Sequence, residues 1–151
     1  MTDPAAVHAV LLERGETVGC AESLTGGQLA SLLSATPGAS GTFAGGVVTY
    51  ATELKRQLLD VTAAEVISGE CALQMATGAR RLLHVDWALS TTGVAGPDLQ
   101  EGHPAGTVFV GLVGHETARF ARLSLAGDRA AIRSATCGAA LDLLLAEVTD
   151  G

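Results

Sequence analysis

The sequence predicts an α/β fold, a three-layer α/β/α sandwich built around a mixed, mostly parallel sheet. Segments with helical apolar spacing alternate with short apolar runs typical of buried strands along the whole chain. Of the 151 residues, 48% are hydrophobic and 17% are charged. This length and composition predict one domain, residues 1–151, with a substantial core.

The amino-terminal half predicts three helices and two strands. A first helix over 4–14 ends before Gly15. An apolar run at 17–21 predicts a strand, and the polar turn 22–27 joins it to a helix that begins QLASLLSA. Residues 42–50 are rich in β-formers and predict a second strand, after which Thr52 is the expected N-cap of the helix TELKRQLL.

The carboxy-terminal half predicts two helices and three strands. Ser68 is expected to cap a helix that ends near Leu83, and residues 87–91 predict a third buried strand. Segments 106–113 and 118–125 predict neighbouring antiparallel strands, because only a short turn joins them. Asp128 precedes a final helix that runs to about Val148.

The charge pattern argues against nucleic acid and membranes as partners. The formal net charge is −7, whereas binding to a phosphate backbone needs a basic face. No apolar run reaches the length that spans a bilayer, so a cytoplasmic protein is expected. Eight of the nine basic residues are arginines, and Lys55 is the only lysine.

Cysteine and histidine spacing predicts no metal site and no disulfide framework, and the absence of GxGxxG and Walker A patterns predicts no bound cofactor. Cys20, Cys71 and Cys137 lie far apart without a CxxC pair, which favours buried small hydrophobic residues. The four histidines show neither HxH nor HxxxH spacing.

Ligands of open α/β sheets bind beyond the carboxyl ends of the strands, and the turn 22–27 stands at such a position. Ser23 is a candidate nucleophile there. The backbone N–H groups of Thr25, Gly26 and Gly27 at the helix start form a candidate cradle for an anion or oxyanion. The alternative is that Ser23 or Thr25 only caps the helix.

A second polar turn precedes Lys55. If Thr52 is the N-cap, Lys55 lies in the first helical turn, where the positive end of the helix dipole and the adjacent Arg56 disfavour the ammonium form. A lysine with a lowered pKa is a base. The alternative is a surface lysine whose charged end reaches water.

A third turn, 91–98, supplies hydroxyls and backbone amides, including those of Thr92 and Gly93. Arg129 and Arg133 lie one helical turn apart at the start of the last helix. Arginines there suit bidentate recognition of phosphate, although a solvated helix face explains them equally well. With Tyr50, these groups fit acyl transfer on a phosphorylated substrate.

Six ordered motifs cover nearly the whole chain and resemble the CinA C-terminal domain family: AESLTGG (21–27), PGAS (37–40), GGVVTYATELK (45–55), TTGVAGPD (91–98), GTVFVGL (106–112) and GDRAAIR (127–133). The stand-alone members of this family are nicotinamide-nucleotide amidases. The resemblance implies hydrolysis of the carboxamide of nicotinamide mononucleotide to nicotinic acid mononucleotide and ammonia, in pyridine nucleotide recycling. It also implies a homodimer of α/β/α domains that needs no metal.

The resemblance assigns roles by position in these motifs. Ser23 matches the nucleophile and Lys55 the lysine that activates it, directly or through Tyr50. Backbone N–H groups near Thr25–Gly27, together with Thr92, are then expected to stabilise the oxyanion. Arg129 or Arg133 is expected to hold the 5′-phosphate.

The sequence departs from the family pattern in three places. Leu24 replaces the usual cysteine, the stretch 60–71 is short and lacks the usual His-Gly, and the loop 98–104 lacks Gly-Gly after Asp98 and carries His103 before the proline. Two alternatives therefore stay open. One is a non-catalytic nucleotide-binding or regulatory module of the same fold, and the other is a hydrolase of a different amide or ester.

Overall fold

A computed structural model describes residues 1–151 and confirms the predicted α/β/α fold. Five strands form one sheet: β1 (Val18–Glu22), β2 (Phe43–Val48), β3 (Trp87–Gly93), β4 (Thr107–Val113) and β5 (Ala118–Ser124). Five α-helices surround it: α1 (Pro4–Arg14), α2 (Gln28–Leu33), α3 (Thr52–Leu59), α4 (Gly69–Leu83) and α5 (Arg129–Asp150). A 3₁₀ turn at Ala39–Gly41 precedes β2.

The sheet has the strand order β2-β1-β3-β4-β5 and is mixed. Strand β1 pairs in parallel with both β2 and β3, whereas β4 pairs antiparallel with both β3 and β5. Only β4 is reversed, so four of the five strands point in one direction. The loops that follow β1, β2, β3 and β5 therefore begin at the same edge of the sheet.

Each face of the sheet buries its own apolar cluster. Helices α1, α2 and α5 cover one face, where Leu11, Leu29 and Leu141 pack against Cys20 and Leu89. Helix α4 covers the other face with α3 beside it, and Met75 is in the cluster there. Side chains of successive strand residues alternate between these two faces, and this alternation decides the position of several residues of the site.

Helix ends agree with the sequence at most positions. Asp3, Ser68 and Asp128 each accept a backbone N–H as N-caps, and Gly15 ends α1 in the left-handed conformation. The prediction for α3 was wrong, because its N-cap is Ala51 and Thr52 is already the first helical residue. None of the helices combines the length and the apolar character that crossing a membrane requires.

Candidate active site

The turn after β1 presents Ser23 at the carboxyl edge of the sheet. Gly26 and Gly27 have φ angles of 56° and 109°, in the left-handed region that glycine adopts readily, and α2 begins only after them at Gln28. The adjacent glycines therefore turn the chain and do not lie inside the helix. Neither glycine lines the cleft described below, and the N–H of Gly26 donates to the carbonyl of Ser23. The N–H of Gly26 is therefore not free to bind a ligand, which corrects the prediction for this residue.

A buried carboxylate, Glu22, fixes this turn to α2. Its Oε1 accepts the N–H of Leu29 at 2.8 Å, and its Oε2 accepts the N–H of Ala30 at 3.0 Å. The hydroxyl of Thr25 lies 2.6 Å from the same carboxylate and is completely buried. The Thr25 hydroxyl therefore supports the turn and does not contact a substrate in the cleft.

Lys55 contacts Ser23, the candidate nucleophile. Its side chain is only 1% exposed, and its Nζ is 2.8 Å from the Oγ of Ser23. The same nitrogen is 2.7 Å from the carbonyl oxygen of Thr49 and 3.1 Å from that of Tyr50. A neutral amine has two N–H donors and one lone pair. Two carbonyls accept the two donors, which leaves the lone pair for the hydroxyl proton of Ser23.

Burial lowers the pKa of Lys55 below its ordinary value of 10.5, because the ammonium form loses hydration. The charges of Cys71 and Glu101 act in the opposite direction and are smaller effects. No carboxylate forms an ion pair with Lys55. Burial is thus the main cause that favours the neutral amine, and Lys55 is the fourth residue of α3 rather than the third.

A cleft of about 240 Å³ opens beside Ser23. Gly93 forms part of its wall, and a Cβ there would lie 2.7 Å from the carbonyl oxygen of Thr107, so no larger residue fits. Leu24 also lines the cleft, and its backbone N–H has no partner within the chain, in contrast to that of Gly26. The N–H of Thr25 is unpaired too, but Thr25 is completely buried and does not line the cleft. The other lining residues are Tyr50, Val94, Ala95, Gly96, Asp98, Leu99, Gln100 and Arg129.

The structure separates the two arginines of α5. Arg129 lines the cleft and donates to the Tyr50 hydroxyl at 2.7 Å and to the Gly96 carbonyl at 2.8 Å. Arg133 does not line it, because its guanidinium donates to the carbonyls of Leu24 and Thr25, both at 3.0 Å. The expectation that Arg133 binds substrate is corrected, since its N–H donors hold the turn 22–27, which carries Ser23, in place.

Two further sequence predictions change. The Tyr50 hydroxyl is bonded to Arg129, and only its backbone carbonyl reaches Lys55, so the direct Ser23–Lys55 contact leaves no place for a phenol relay. Thr92 is completely buried and donates its single hydroxyl proton to the Val66 carbonyl at 2.6 Å. It therefore has no proton left to donate to an oxyanion.

Sequence reasoning missed Thr91 and Glu22. Thr91 is the neighbour that faces the nucleophile turn, with its Oγ1 at 2.8 Å from that of Thr25 and 3.3 Å from the N–H of Ser23. The alternation along β3 placed one of two adjacent threonines here, and the sequence TTG does not say which. For Glu22 a signal existed, because a single charge directly after an apolar strand needs buried partners.

No three His, Cys, Asp or Glu side chains are grouped so as to hold a metal ion, and the three cysteines are buried as separate free thiols. The groups gathered at or directly behind the cleft are Ser23, the amine of Lys55, the unpaired backbone N–H of Leu24 and Arg129. This set is suited to nucleophilic attack on a carbonyl and to the binding of an anion nearby.

The fold and the site define a small α/β domain with a buried serine–lysine pair at the carboxyl edge of its sheet. The sequence model of the CinA C-terminal domain matches residues 3–148. The chain belongs to the CinA C-terminal domain family.

Relatives of known sequence and structure agree with this assignment. A CinA-like protein of Frankia casuarinae is 45% identical over 143 residues, which cover 91% of this chain but 33% of that protein. The chain thus spans about a third of the length of the curated relatives that it matches. The crystal structure of competence damage-inducible protein A from Klebsiella pneumoniae superposes with a TM-score of 0.93 at 33% identity, covering 97% of this chain and 94% of that one. A CinA superfamily protein from another Klebsiella pneumoniae strain also gives 0.93, at 30% identity and full coverage of both chains.

Proposed function

We propose that this domain hydrolyses the carboxamide of nicotinamide mononucleotide to nicotinic acid mononucleotide and ammonia. The observation that carries the proposal is the 2.8 Å contact between Ser23 Oγ and the buried Nζ of Lys55. A domain that only bound nucleotides would have no need for a desolvated amine against a serine at the wall of a cleft. The family resemblance supplies the choice of substrate.

In the proposed reaction the Oγ of Ser23 attacks the carboxamide carbon while its proton moves to the lone pair of Lys55. The resulting oxyanion is stabilised by the unpaired N–H group of Leu24, which lines the cleft beside Ser23. Lys55 then returns the proton to the amide nitrogen, the C–N bond breaks, and ammonia leaves an acyl ester on Ser23. Water attacks this ester, Lys55 accepts a proton from it, and Ser23 regains its proton as the acid is released.

Arg129 is proposed to bind the 5′-phosphate. It lies at the first position of α5, where its charge and the helix amino terminus both favour an anion. Its present partners are the Tyr50 hydroxyl and the Gly96 carbonyl, which hold the guanidinium at the cleft wall. Binding energy gained at the phosphate would orient the carboxamide toward Ser23.

The test is the release of ammonia from nicotinamide mononucleotide by the purified domain. We expect turnover by the parent protein and a loss of at least about 10³-fold in Ser23→Ala, because the nucleophile is removed. Ser31→Ala is the matched control, since Ser31 is an exposed serine on α2, and it should keep parental activity. Absence of release by the parent across about pH 6–9 would exclude the amidase. Binding of the nucleotide without turnover would favour the regulatory module.

A further inference from the structure

The turn at the tip of the loop 98–103 holds an unusual backbone conformation. Gln100 and His103 exchange two backbone hydrogen bonds of 3.1 and 2.9 Å, and the two residues between them, Glu101 and Gly102, have φ angles of 50° and 78°. Two successive positive φ angles define a type I′ hairpin turn, which favours Asn, Asp or Gly at both central positions. A glutamate at the first of them is disfavoured by its Cβ.

Three non-glycine residues have a positive φ angle, and only for Glu101 does the local backbone not explain it. The other non-glycine residues with positive φ, Asp60 and His84, are the C-caps of α3 and α4, where a left-handed residue commonly ends a helix. A disfavoured conformation persists only where other contacts hold it in place, and such contacts concentrate at functional sites. The contacts of Glu101 should therefore explain its position.

Those contacts are made by the carboxylate. Its Oε1 accepts the N–H of Ile67 at 2.7 Å, and its Oε2 accepts the N–H of Val66 at 3.0 Å. Both partner residues are buried, at 3% and 4% exposed, and they belong to the segment that leads into α4. The Val66 carbonyl in turn accepts the hydroxyl of Thr92 on β3. One side chain thus ties the loop tip, through this segment, to the central sheet.

The anchored loop forms part of the cleft. Asp98, Leu99 and Gln100, the residues directly before Glu101, line the cleft together with Ser23 and Arg129. The two segments joined by Glu101 are the same two that depart from the family pattern, 60–71 and 98–104. In this chain the carboxylate therefore connects the altered loop to the altered segment.

We propose that Glu101 is a positioning residue for substrate binding, which holds the loop 98–103 as a preformed wall of the cleft. The proposal rests on the amidase function for its kinetic readout. Glu101 forms no hydrogen bond with Ser23 or Lys55, and its charge has only a small effect on the Lys55 pKa, so its main action is through the loop. Releasing the loop adds an ordering cost to each binding event and leaves the reacting groups intact, so the loss should fall on KM.

The experiment compares Glu101→Gly and Glu101→Gln with the parent. Glycine suits the positive φ, so Glu101→Gly removes the carboxylate without straining the turn. Glutamine has nearly the same size as glutamate but only one acceptor oxygen. Its NH₂ group would face one of the two backbone N–H groups, so that donor would meet a donor. We expect KM for nicotinamide mononucleotide to rise about 10-fold or more in Glu101→Gly, with kcat within about 3-fold. Glu65→Gln, at an exposed glutamate beside the same segment, should behave as the parent.

Amide hydrogen exchange provides a second readout that does not depend on activity. The backbone N–H groups of Val66 and Ile67 should exchange faster in both Glu101 variants than in the parent. In Glu65→Gln their exchange rates should equal those of the parent. A KM within 2-fold of the parent in Glu101→Gly, or equal exchange of these two amides, would overturn the proposal. If the parent releases no ammonia but these amides exchange faster in the variants, the amidase function is rejected, whereas the role of Glu101 in holding the loop 98–103 is supported.

Discussion

The groups around the amine of Lys55 favour its neutral form. As the only lysine of an acidic chain, Lys55 is conspicuous in the composition, but its surroundings decide its chemistry. The side chain is almost completely buried, and its nitrogen contacts two carbonyl oxygens and one hydroxyl. Carbonyls satisfy N–H donors without adding a negative charge, so they allow the amine to stay neutral where a carboxylate would favour the ammonium form.

Replacing Lys55 by arginine should be nearly as damaging as replacing it by alanine. Arginine remains protonated at any accessible pH and has no lone pair to take the proton of Ser23. We expect kcat for ammonia release to fall by about 10²–10⁴-fold in both Lys55→Arg and Lys55→Ala. Arg81→Lys, an exchange of the same two residue types at an exposed position, is the control and should be neutral.

The pH dependence of the parent checks the same assignment. Because the active form of Lys55 is the neutral amine, kcat/KM should rise with pH and reach a plateau below 10.5, the ordinary pKa of lysine. The rise should be absent from any residual activity of Lys55→Ala. A variant Lys55→Arg with parental kcat, or a parent whose activity still rises above the ordinary lysine pKa, would contradict a neutral lysine base.

At the scale of elements, the first two turns of α5 carry two arginines to which we assign different roles, substrate binding for one and positioning of the Ser23 turn for the other. Arg129 and Arg133 are four residues apart, yet one lines the cleft and the other holds the carbonyls of the nucleophile turn. Arg129→Ala should raise KM by about 10-fold or more with little change in kcat. Arg133→Ala should instead lower kcat by about 10-fold, because Ser23 loses the support of its turn.

Steady-state kinetics with nicotinamide mononucleotide distinguishes the two roles. Ser134→Ala, at the exposed position directly after Arg133 on α5, is the control for effects on the helix itself. The assignment fails if the two arginine variants show the same split between KM and kcat. It also fails if Arg129→Ala changes kcat alone, because a group that only binds the phosphate should act on substrate affinity.

The start of α2 depends on Glu22 in place of an ordinary N-cap. The helix has only six residues and no side-chain cap from Gly27, so the buried carboxylate satisfies two of its first N–H groups. Glu22→Gln replaces one acceptor oxygen by a donor that faces an N–H. We expect this substitution to lower the free energy of unfolding by about 1–3 kcal/mol, measured by urea denaturation. Glu13→Gln, on the exposed face of α1, should change it little, and a Glu22→Gln variant as stable as the parent would contradict the role.

Local signals in the sequence were sufficient for most elements but not for side-chain direction. Ser68 and Asp128 were identified as caps because a short acceptor preceded a helical apolar pattern, and both cap as predicted. Thr92 was placed in the site by its position in the motif TTGVAGPD, and Arg133 because it lies one helical turn from Arg129. Their true directions depend on strand register and on the seating of α5 against the turn 22–27, which arise only from tertiary contacts.

At the scale of the whole molecule, the strand order explains how dispersed motifs form one site. Four parallel strand directions bring the loops after β1, β2 and β3 and the start of α5 to one edge. A net charge of −7 is also compatible with the phosphorylated substrate that we propose. Arg129 is the only arginine that lines the cleft, so a local cation suffices without a basic surface.

The three buried thiols should set the alkaline limit of stability. Burial raises the pKa of Cys71 to about 11 and that of Cys137 to about 12, and raises that of Cys20 as well, from an ordinary value of 9.0. Above pH 9 the unfolded chain loses these protons while the folded protein keeps them, so the free energy of unfolding falls as pH rises. The lowered pKa of Lys55 acts in the opposite sense up to 10.5, because there the unfolded chain binds the extra proton.

Three thiols with raised pKa values oppose one amine with a lowered pKa, so the free energy of unfolding should fall as the pH rises from about 9 to 10.5. Urea denaturation across this range measures the slope. The double variant Cys20→Ala/Cys137→Ala should show a shallower slope, although the cavities it creates lower stability at neutral pH. Leu144→Ala, in the same apolar cluster, is the control for lost packing and should keep the parental slope. A parent whose stability does not decline above pH 9, or a double variant with an unchanged slope, would show that the thiols do not control alkaline unfolding.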